Sequence, residues 1–168
     1  RIFRVSLNRL YFDDIAAEGK ALDVNGAEDF LTALYLFDET ELHTYKRENK
    51  EQKQVVALVY IDNYDELLDS VEHVKRSLLV ALIERKVNQY FTQKDALVRT
   101  LEKDKYFVVF KYKYLQELME DKFSLLEDVK TVRIGNEMAV TLSIGVGLKG
   151  DSYNDSYDYA RAAIDLAL

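Results

Sequence analysis

The stretch Val55-Val56-Ala57-Leu58-Val59-Tyr60-Ile61 followed by Asp62 decides the fold. Seven apolar residues run without a polar break and then stop at a carboxylate. That pattern predicts a strand in the middle of a sheet, covered on both faces, with Asp62 at its exposed end. Downstream, Val74, Leu78, Leu79, Leu82, Ile83, Val87, Tyr90 and Phe91 recur at helical spacing and predict a long helix over Val74–Phe91. Ala96–Leu101 and Tyr106–Phe110 flank the polar tip Glu102-Lys103-Asp104-Lys105 and predict a β-hairpin. Leu115, Leu118, Met119, Leu125, Leu126 and Val129 predict a second helix over Tyr114–Val129. Thr131–Ile134 and Met138–Val146 predict two further strands around the turn residues Gly135-Asn136. Ser152 is a suitable cap for a last helix, with Tyr157, Ala160, Ala163, Ile164 and Ala167 on its apolar side. The order β–α–β–β–α–β–β–α predicts an α+β sandwich, helices over a mixed or antiparallel sheet. Val56, Leu58, Leu79, Ile83, Phe107, Val109, Leu142 and Ile144 are the expected core.

Upstream of Val55 the character changes. Arg1–Phe12 alternates as a strand does, a polar stretch runs from Asp13 to Asp29, and Phe30–Phe37 is a second apolar run. Two strands alone are marginal in water, so this hairpin needs something to pack on, in this chain or in strands before Arg1. Asp38–Gln54 is almost wholly polar, and Asp38 or Thr40 can cap an exposed connecting helix there. A solvated linker explains that segment more simply than a binding surface does. A domain boundary is expected near residue 53.

Composition narrows the function classes. The chain has 168 residues, 48% apolar, with 12 Tyr and 8 Phe, which supplies one globular core. It has no cysteine, excluding disulfides, thiolate metal sites and cysteine nucleophiles, and two histidines cannot make a three-histidine site. A formal charge of −7 argues against a nucleic-acid binder, which normally shows a basic face. No apolar run is long enough to span a bilayer, and both ends look like cuts within a longer protein.

Two features could carry chemistry. Gly145-Val146-Gly147-Leu148-Lys149-Gly150 has the glycine spacing of a dinucleotide-binding loop. Asp151 and Ser152 intervene before the next helix, so glycines of a strand end and turn explain the string better. The other feature is the pair Asp62 and Asp104, one ending the central strand and one at the hairpin tip. Side by side, they could bind a divalent cation and polarise a nucleoside triphosphate. Asp65, Glu66 and Asp69 follow closely, but acids early in a helix are equally explained by its dipole.

These residues in this order resemble a known family. Tyr60-Ile61-Asp62-Asn63-Tyr64-Asp65 is similar to the Asp-x-Asp-x-Phe-Lys strand end of GGDEF (diguanylate cyclase) domains. Glu102–Tyr106 falls where that family's Gly-Gly-Asp-Glu-Phe hairpin would be. Val140-Thr141-Leu142-Ser143-Ile144-Gly145 resembles its Val-Thr-x-Ser-x-Gly strand, and Tyr159–Leu168 its final helix. The departures are informative. The resemblance implies that Tyr60 replaces a metal-binding carboxylate, that Glu102-Lys103 replaces the glycine pair, and that Lys105 replaces an acid. It places Leu68 where a guanine-reading asparagine would stand. Of the inhibitory Arg-x-x-Asp motif it leaves at best Asp95, with Thr92 in the arginine's place. Cyclase activity is therefore not expected.

The combination looks like the degenerate GGDEF domain of GdpP/YybT-like proteins, membrane-anchored bacterial cyclic-di-AMP phosphodiesterases with the order transmembrane helices, PAS, GGDEF, DHH and DHHA1. The resemblance implies a GGDEF/nucleotidyl-cyclase-like, ferredoxin-related sandwich over residues 55–168, a linker helix over 41–54 and the last strands of a PAS domain over 1–40. It also implies a cytoplasmic, regulatory domain that relays PAS signals to a DHH/DHHA1 phosphodiesterase outside this chain, in a homodimeric parent. Expected nucleotide contacts are Tyr60, Asp62, Asn63, Asp104 and Lys105. The expected ligand is ATP in preference to GTP, with Mg²⁺ or Mn²⁺ held by Asp62 and Asp104. The implied DHH domain would use Mn²⁺, and the PAS cofactor is left open. A weak metal-dependent ATPase and a purely structural dimerisation domain are the alternatives.

Overall fold

The computed structural model of the chain describes residues 1–11, 30–148, 150 and 152–167. The polar stretch read as a loop over Asp13–Asp29 lies outside the described residues, as do Lys149 of the glycine string and Asp151 after it. The chain falls into two compact units, Arg1–Asn49 and Lys50–Leu168.

In the first unit, β1 (Phe3–Tyr11) pairs antiparallel with β2 (Phe30–Asp38), from Phe3 opposite Asp38 to Tyr11 opposite Phe30. Its open end is tied to the start of helix α1 (Thr40–Gln52). Arg4 Nε lies 2.6 Å from a Glu39 carboxylate oxygen, and the guanidinium sits 4.3 Å from the Phe37 ring centroid. The Asp38 carboxylate accepts the Thr40 N–H at 2.9 Å, which satisfies a backbone donor that the first turn leaves open. No residue of α1 is buried, which is why its sequence can be so polar.

The second unit runs β3 (Gln54–Ile61), α2 (Tyr64–Asp69), α3 (His73–Thr92), β4 (Leu97–Glu102), β5 (Lys105–Lys111), α4 (Tyr112–Glu120), α5 (Leu125–Asp128), a 3₁₀ turn (Val129–Thr131), β6 (Leu142–Gly147) and α6 (Tyr153–Asp165). The sheet order is β4-β5-β3-β6, and every neighbouring pair is antiparallel. As its apolar run requires, β3 is internal. Val55, Ala57, Val59 and Ile61 meet Leu79, Ile83, Val87 and Phe91 of α3 on one face, while Val56 and Leu58 meet Ala160 and Ile164 of α6 on the other.

Several expectations are corrected. Phe107, Val109 and Ile144 are only partly buried, whereas Tyr106, Val108 and Phe110 form the deeply buried face of β5. Both faces of β5 are apolar, so its alternation carries no sign; α6 rests on β6 and β3 and leaves β5 half-covered. Val74 and Leu78 are exposed, since the buried stripe of α3 starts only at Leu79. Tyr114–Val129 is not one helix. Lys122 and Phe123 take φ of 52° and 50°, and the chain reverses there. Asp121 holds this break: one carboxylate oxygen accepts the Ser124 hydroxyl at 2.6 Å and the Tyr90 hydroxyl at 3.0 Å.

The hairpin expected around Gly135-Asn136 does not form either; only Leu142–Gly147 is strand, and Thr131 closes the 3₁₀ turn. The buried Asn136 side chain supplies an alternative to ladder pairing. Its carbonyl oxygen accepts the Ile134 N–H at 3.0 Å, and its amide donates to the carbonyls of Val132 at 3.2 Å and Met138 at 2.6 Å. Gly147 and Gly145 seat α6 against β6. A Cβ on Gly147 would stand 1.7 Å from the Ser156 carbonyl oxygen, and one on Gly145 would stand 2.2 Å from that of Ala160. These two glycines of the string therefore serve close helix–strand packing. Ser152 caps α6 as expected, in a reciprocal box with Asp155.

Candidate functional site

The end of β3 and the β4–β5 tip are stitched together by their backbones. Tyr60 stands opposite Lys105 on β5 and Ser143 on β6. One residue on, the Ile61 N–H donates to the Asp104 carbonyl at 2.8 Å, and the Asp62 N–H donates to the Thr141 carbonyl at 3.1 Å. The chain then turns sharply at Asn63, whose φ of 48° and ψ of 45° are left-handed, and enters α2. Asparagine tolerates that conformation better than most residues, and its side chain makes no cap. Asn63 thus has a backbone reason to be there.

Between the β3 end and the hairpin tip lies a cleft of about 700 Å³. All five expected contacts, Tyr60, Asp62, Asn63, Asp104 and Lys105, line it. So do Glu102 and Lys103 at the tip, and Asp65 and Glu66 on the first turn of α2. Sequence reasoning missed Tyr64 as a wall residue; its place two residues beyond Asp62 was the available signal.

The cleft carries its own cation. Lys105 Nζ lies 2.7 Å from a Glu102 carboxylate oxygen and 5.3 Å from the Tyr60 ring centroid. The Glu102 hydrogen bond holds the Lys105 ammonium above its ordinary pKa, aided by the nearby charges of Glu102 and Asp104. Burial raises the Tyr60 phenol, and Tyr157 adds to that against the opposing charges of Lys105 and Arg161. Burial also raises the Tyr64 phenol, followed by the charges of Asp104 and Asp65. Both phenols are therefore neutral at ordinary pH and poor ligands for a hard cation. One carboxylate oxygen of Asp62, Oδ1, is buried without a hydrogen-bond partner. A buried acceptor left open in this way favours a cation or a donor brought from outside.

The donor set is oxygen only, the kind that hard divalent cations take. Among the described residues no three His, Cys, Asp or Glu side chains are grouped to hold an ion. Mg²⁺ commonly takes one or two carboxylates, with waters and substrate phosphates completing its shell. Asp62 and Asp104 are two such carboxylates lining one cleft.

The family model described as "Cyclic-di-AMP phosphodiesterase GdpP-like, GGDEF domain" matches residues 59–168, which include every residue lining this cleft. The chain belongs to the GdpP-like GGDEF domain family. Cyclic-di-AMP phosphodiesterase PdeA of Listeria monocytogenes is 29% identical over 80% of the chain, but only 20% of that protein is covered. A membrane protein–large ribosomal subunit bL9 fusion protein of Aster yellows witches'-broom phytoplasma is 26% identical over 82% of the chain and 16% of its own length. The GGDEF domain therefore spans about a fifth or less of the curated relatives it matches. Among solved structures, the GGDEF domain of FimX from Pseudomonas aeruginosa superposes with a TM-score of 0.58 at 19% identity, covering 76% of this chain and 84% of that one. That likeness speaks for the fold alone. No helix among the described residues is long and apolar enough to cross a membrane.

In this GGDEF domain, Leu68 packs partly buried against the core and offers no hydrogen-bonding group where the resemblance implies a guanine reader. Asp95, the possible remnant of the inhibitory motif, is paired with Lys111 at 2.9 Å.

Proposed function

We propose that this domain is a catalytically degenerate, regulatory GGDEF module of a membrane-anchored cyclic-di-AMP phosphodiesterase. It passes the state of a PAS domain, ending in β1 and β2, to a DHH/DHHA1 phosphodiesterase beyond this chain. It makes no cyclic di-GMP. The observation that carries this reading is the Lys105–Glu102 pair lying beside the Tyr60 ring in the cleft. Where a cyclase needs bare backbone and carboxylates to receive a triphosphate with its metal, this cleft presents a lysine, a glutamate and a neutral phenol. The names of relatives such as PdeA support the phosphodiesterase context.

A second reading is favoured by the cleft volume and by the open Asp62 oxygen: the domain binds a nucleotide, and ATP in preference to GTP. Leu68 supports that preference, because guanine needs donors and acceptors that leucine lacks. Asp62 and Asp104 would hold Mg²⁺ or Mn²⁺ arriving with the phosphates, and the ion would neutralise phosphate charge. Lys103 and Lys105 would meet the remaining phosphate oxygens. Hydrolysis, where it occurs, is slow.

Calorimetric titration with ATP and with GTP, each with Mg²⁺, tests the binding half. ATP heat lost in Asp62→Ala and Asp104→Ala is the expected result. No heat from either nucleotide at millimolar concentration removes nucleotide binding and leaves the domain as a structural relay.

A further inference from the structure

A second polar groove lies away from the cleft, along α3. It encloses about 350 Å³ between Arg85, Lys86 and Gln89 on the helix and Thr131, Val132 and Arg133 after the 3₁₀ turn. A shallower groove shares Arg85 and Gln89 and continues past Asn88 to Gln93. Three cations line this place in a chain whose formal charge is −7. One is already used: Lys86 Nζ lies 2.6 Å from an Asp128 carboxylate oxygen. The guanidiniums of Arg85 and Arg133 have no ion-pair or hydrogen-bond partner among the described residues; Arg99 and Arg161 share that state, but only Arg85 and Arg133 line one groove together.

The setting of Arg133 is the second observation. Asn136 bonds the backbone on both sides of it, through the carbonyl of Val132 and the N–H of Ile134. Asn136 is one of two buried polar residues in the described chain, so this clamp uses one of the few polar groups buried there. Arg133 is exposed yet stands on backbone that the Asn136 side chain holds in place. Arg85 stands on the regular α3 helix. Two unpaired guanidiniums rooted on fixed backbone and lining one groove are available to an acceptor-rich anion, which would order their side chains as it binds.

We propose that this groove binds a small phosphorylated anion, gripped at its phosphate oxygens by Arg85 and Arg133. The part that holds both arginines has the volume of a small-molecule site, which favours a compact anion over an extended acidic peptide. Gln89 and Thr131 supply neutral hydrogen bonds beside the charged ones, as the ester end of such a ligand needs. The guanidinium fork matches phosphate geometry in a way that the Lys86 ammonium does not. The site does not depend on the cleft: it shares no residue with it.

The test is a titration of the ¹⁵N-labelled chain with sodium pyrophosphate, followed by amide shifts, with sodium chloride at matched ionic strength as control. Saturable shifts confined to Arg85, Gln89 and Thr131–Arg133 are expected. Arg85→Ala and Arg133→Ala should each weaken binding by about tenfold, the equivalent of losing one charge-assisted contact. Arg133→Lys should fall between, keeping charge and losing the fork. AMP in place of pyrophosphate should shift the same amides if the ester end is accommodated; pyrophosphate alone acting would restrict the ligand to an inorganic one and overturn the assignment of an ester. Shifts that chloride reproduces, that survive both alanine variants, or that fall only on Lys103–Lys105 would overturn the site. Should Arg133→Ala disturb the fold, Arg85→Ala on the helix carries the test alone.

Discussion

The backbone N–H of Ile61 donates to the carbonyl of Asp104 across 2.8 Å. That bond fixes the hairpin tip against the end of β3 and brings Asp62 and Asp104, 42 positions apart in sequence, to the same cleft. It joins two backbone groups, so it does not depend on the identity of the side chains at Asp62 or Asp104. On the proposed reading, such a backbone tie lets the cleft keep its shape while its side chains change.

If Tyr60 has displaced a metal carboxylate, then Tyr60→Asp should move the cleft back toward metal-assisted binding. The expected outcome is ATP–Mg²⁺ affinity raised by roughly tenfold, about one charged contact. Lys105→Ala in the same background should raise it no further, because a phosphate-facing cation is lost with the obstruction. Calorimetry reads both. Unchanged affinity in Tyr60→Asp would mean that the phenol does not stand in the metal's place.

The seat of α6 predicts a large cost for one methyl group. Gly147→Ala would drive a Cβ to 1.7 Å from the Ser156 carbonyl oxygen, so the helix must lift. Overpacking of this kind costs about 1–3 kcal/mol or more, read as a lower urea midpoint. Lys105→Ala, at a half-exposed position, should leave that midpoint within about 0.5 kcal/mol of the parent.

Phe91 is wholly buried, packing edge-on to Tyr90 and against Phe110. Phe91→Ala should destabilise by about 3–5 kcal/mol, whereas Val74→Ala, on an exposed residue of the same helix, should change little. Thermal unfolding of the two variants distinguishes them.

Acid should loosen the break between α4 and α5. Ser124 and Tyr90 hydrogen bonds hold the Asp121 carboxyl below its ordinary pKa, and Lys111 does the same for Asp95. A depressed carboxyl lends stability above its unfolded value, near 3.9, and loses it as pH falls through the lower folded value. The urea midpoint should therefore hold steady down to about pH 5 and drop below about pH 4. Asp121→Asn should shrink that drop. At the alkaline end, burial pushes the Tyr106 phenol up to about 12, so it should ionise after the exposed tyrosines.

Much of this architecture was legible where one signal acted alone. The run Val55–Ile61 read as a covered strand because it is short, rich in valine and closed by Asp62, which favours a sheet interior over a buried helix. The polar tip Glu102–Lys105 read as a turn from its flanking apolar runs, whereas the proximity of Asp62 and Asp104 was legible only as a condition on how the strands pair, and the pairing of β3 with β5 meets it. Legibility failed where a side chain replaced the backbone as organiser. Asn136 binds three backbone groups and cancels a plausible hairpin. Asp121 gathers Ser124 and Tyr90 and breaks a plausible helix at Phe123, a bulky residue that gives no warning of a left-handed turn. On β5, apolar residues face both ways, and only the placement of α6 shows which side is deeper. In the cleft, residue types were readable, but the Lys105–Glu102 pairing beside Tyr60 needed coordinates.

The most direct test is product analysis. The domain is incubated with GTP and Mg²⁺ or Mn²⁺, and the mixture is separated chromatographically alongside an active GGDEF cyclase. An intact GTP peak and no cyclic dinucleotide are the predicted result. Turnover of GTP to cyclic di-GMP, abolished by Asp104→Ala, would contradict the account at its centre.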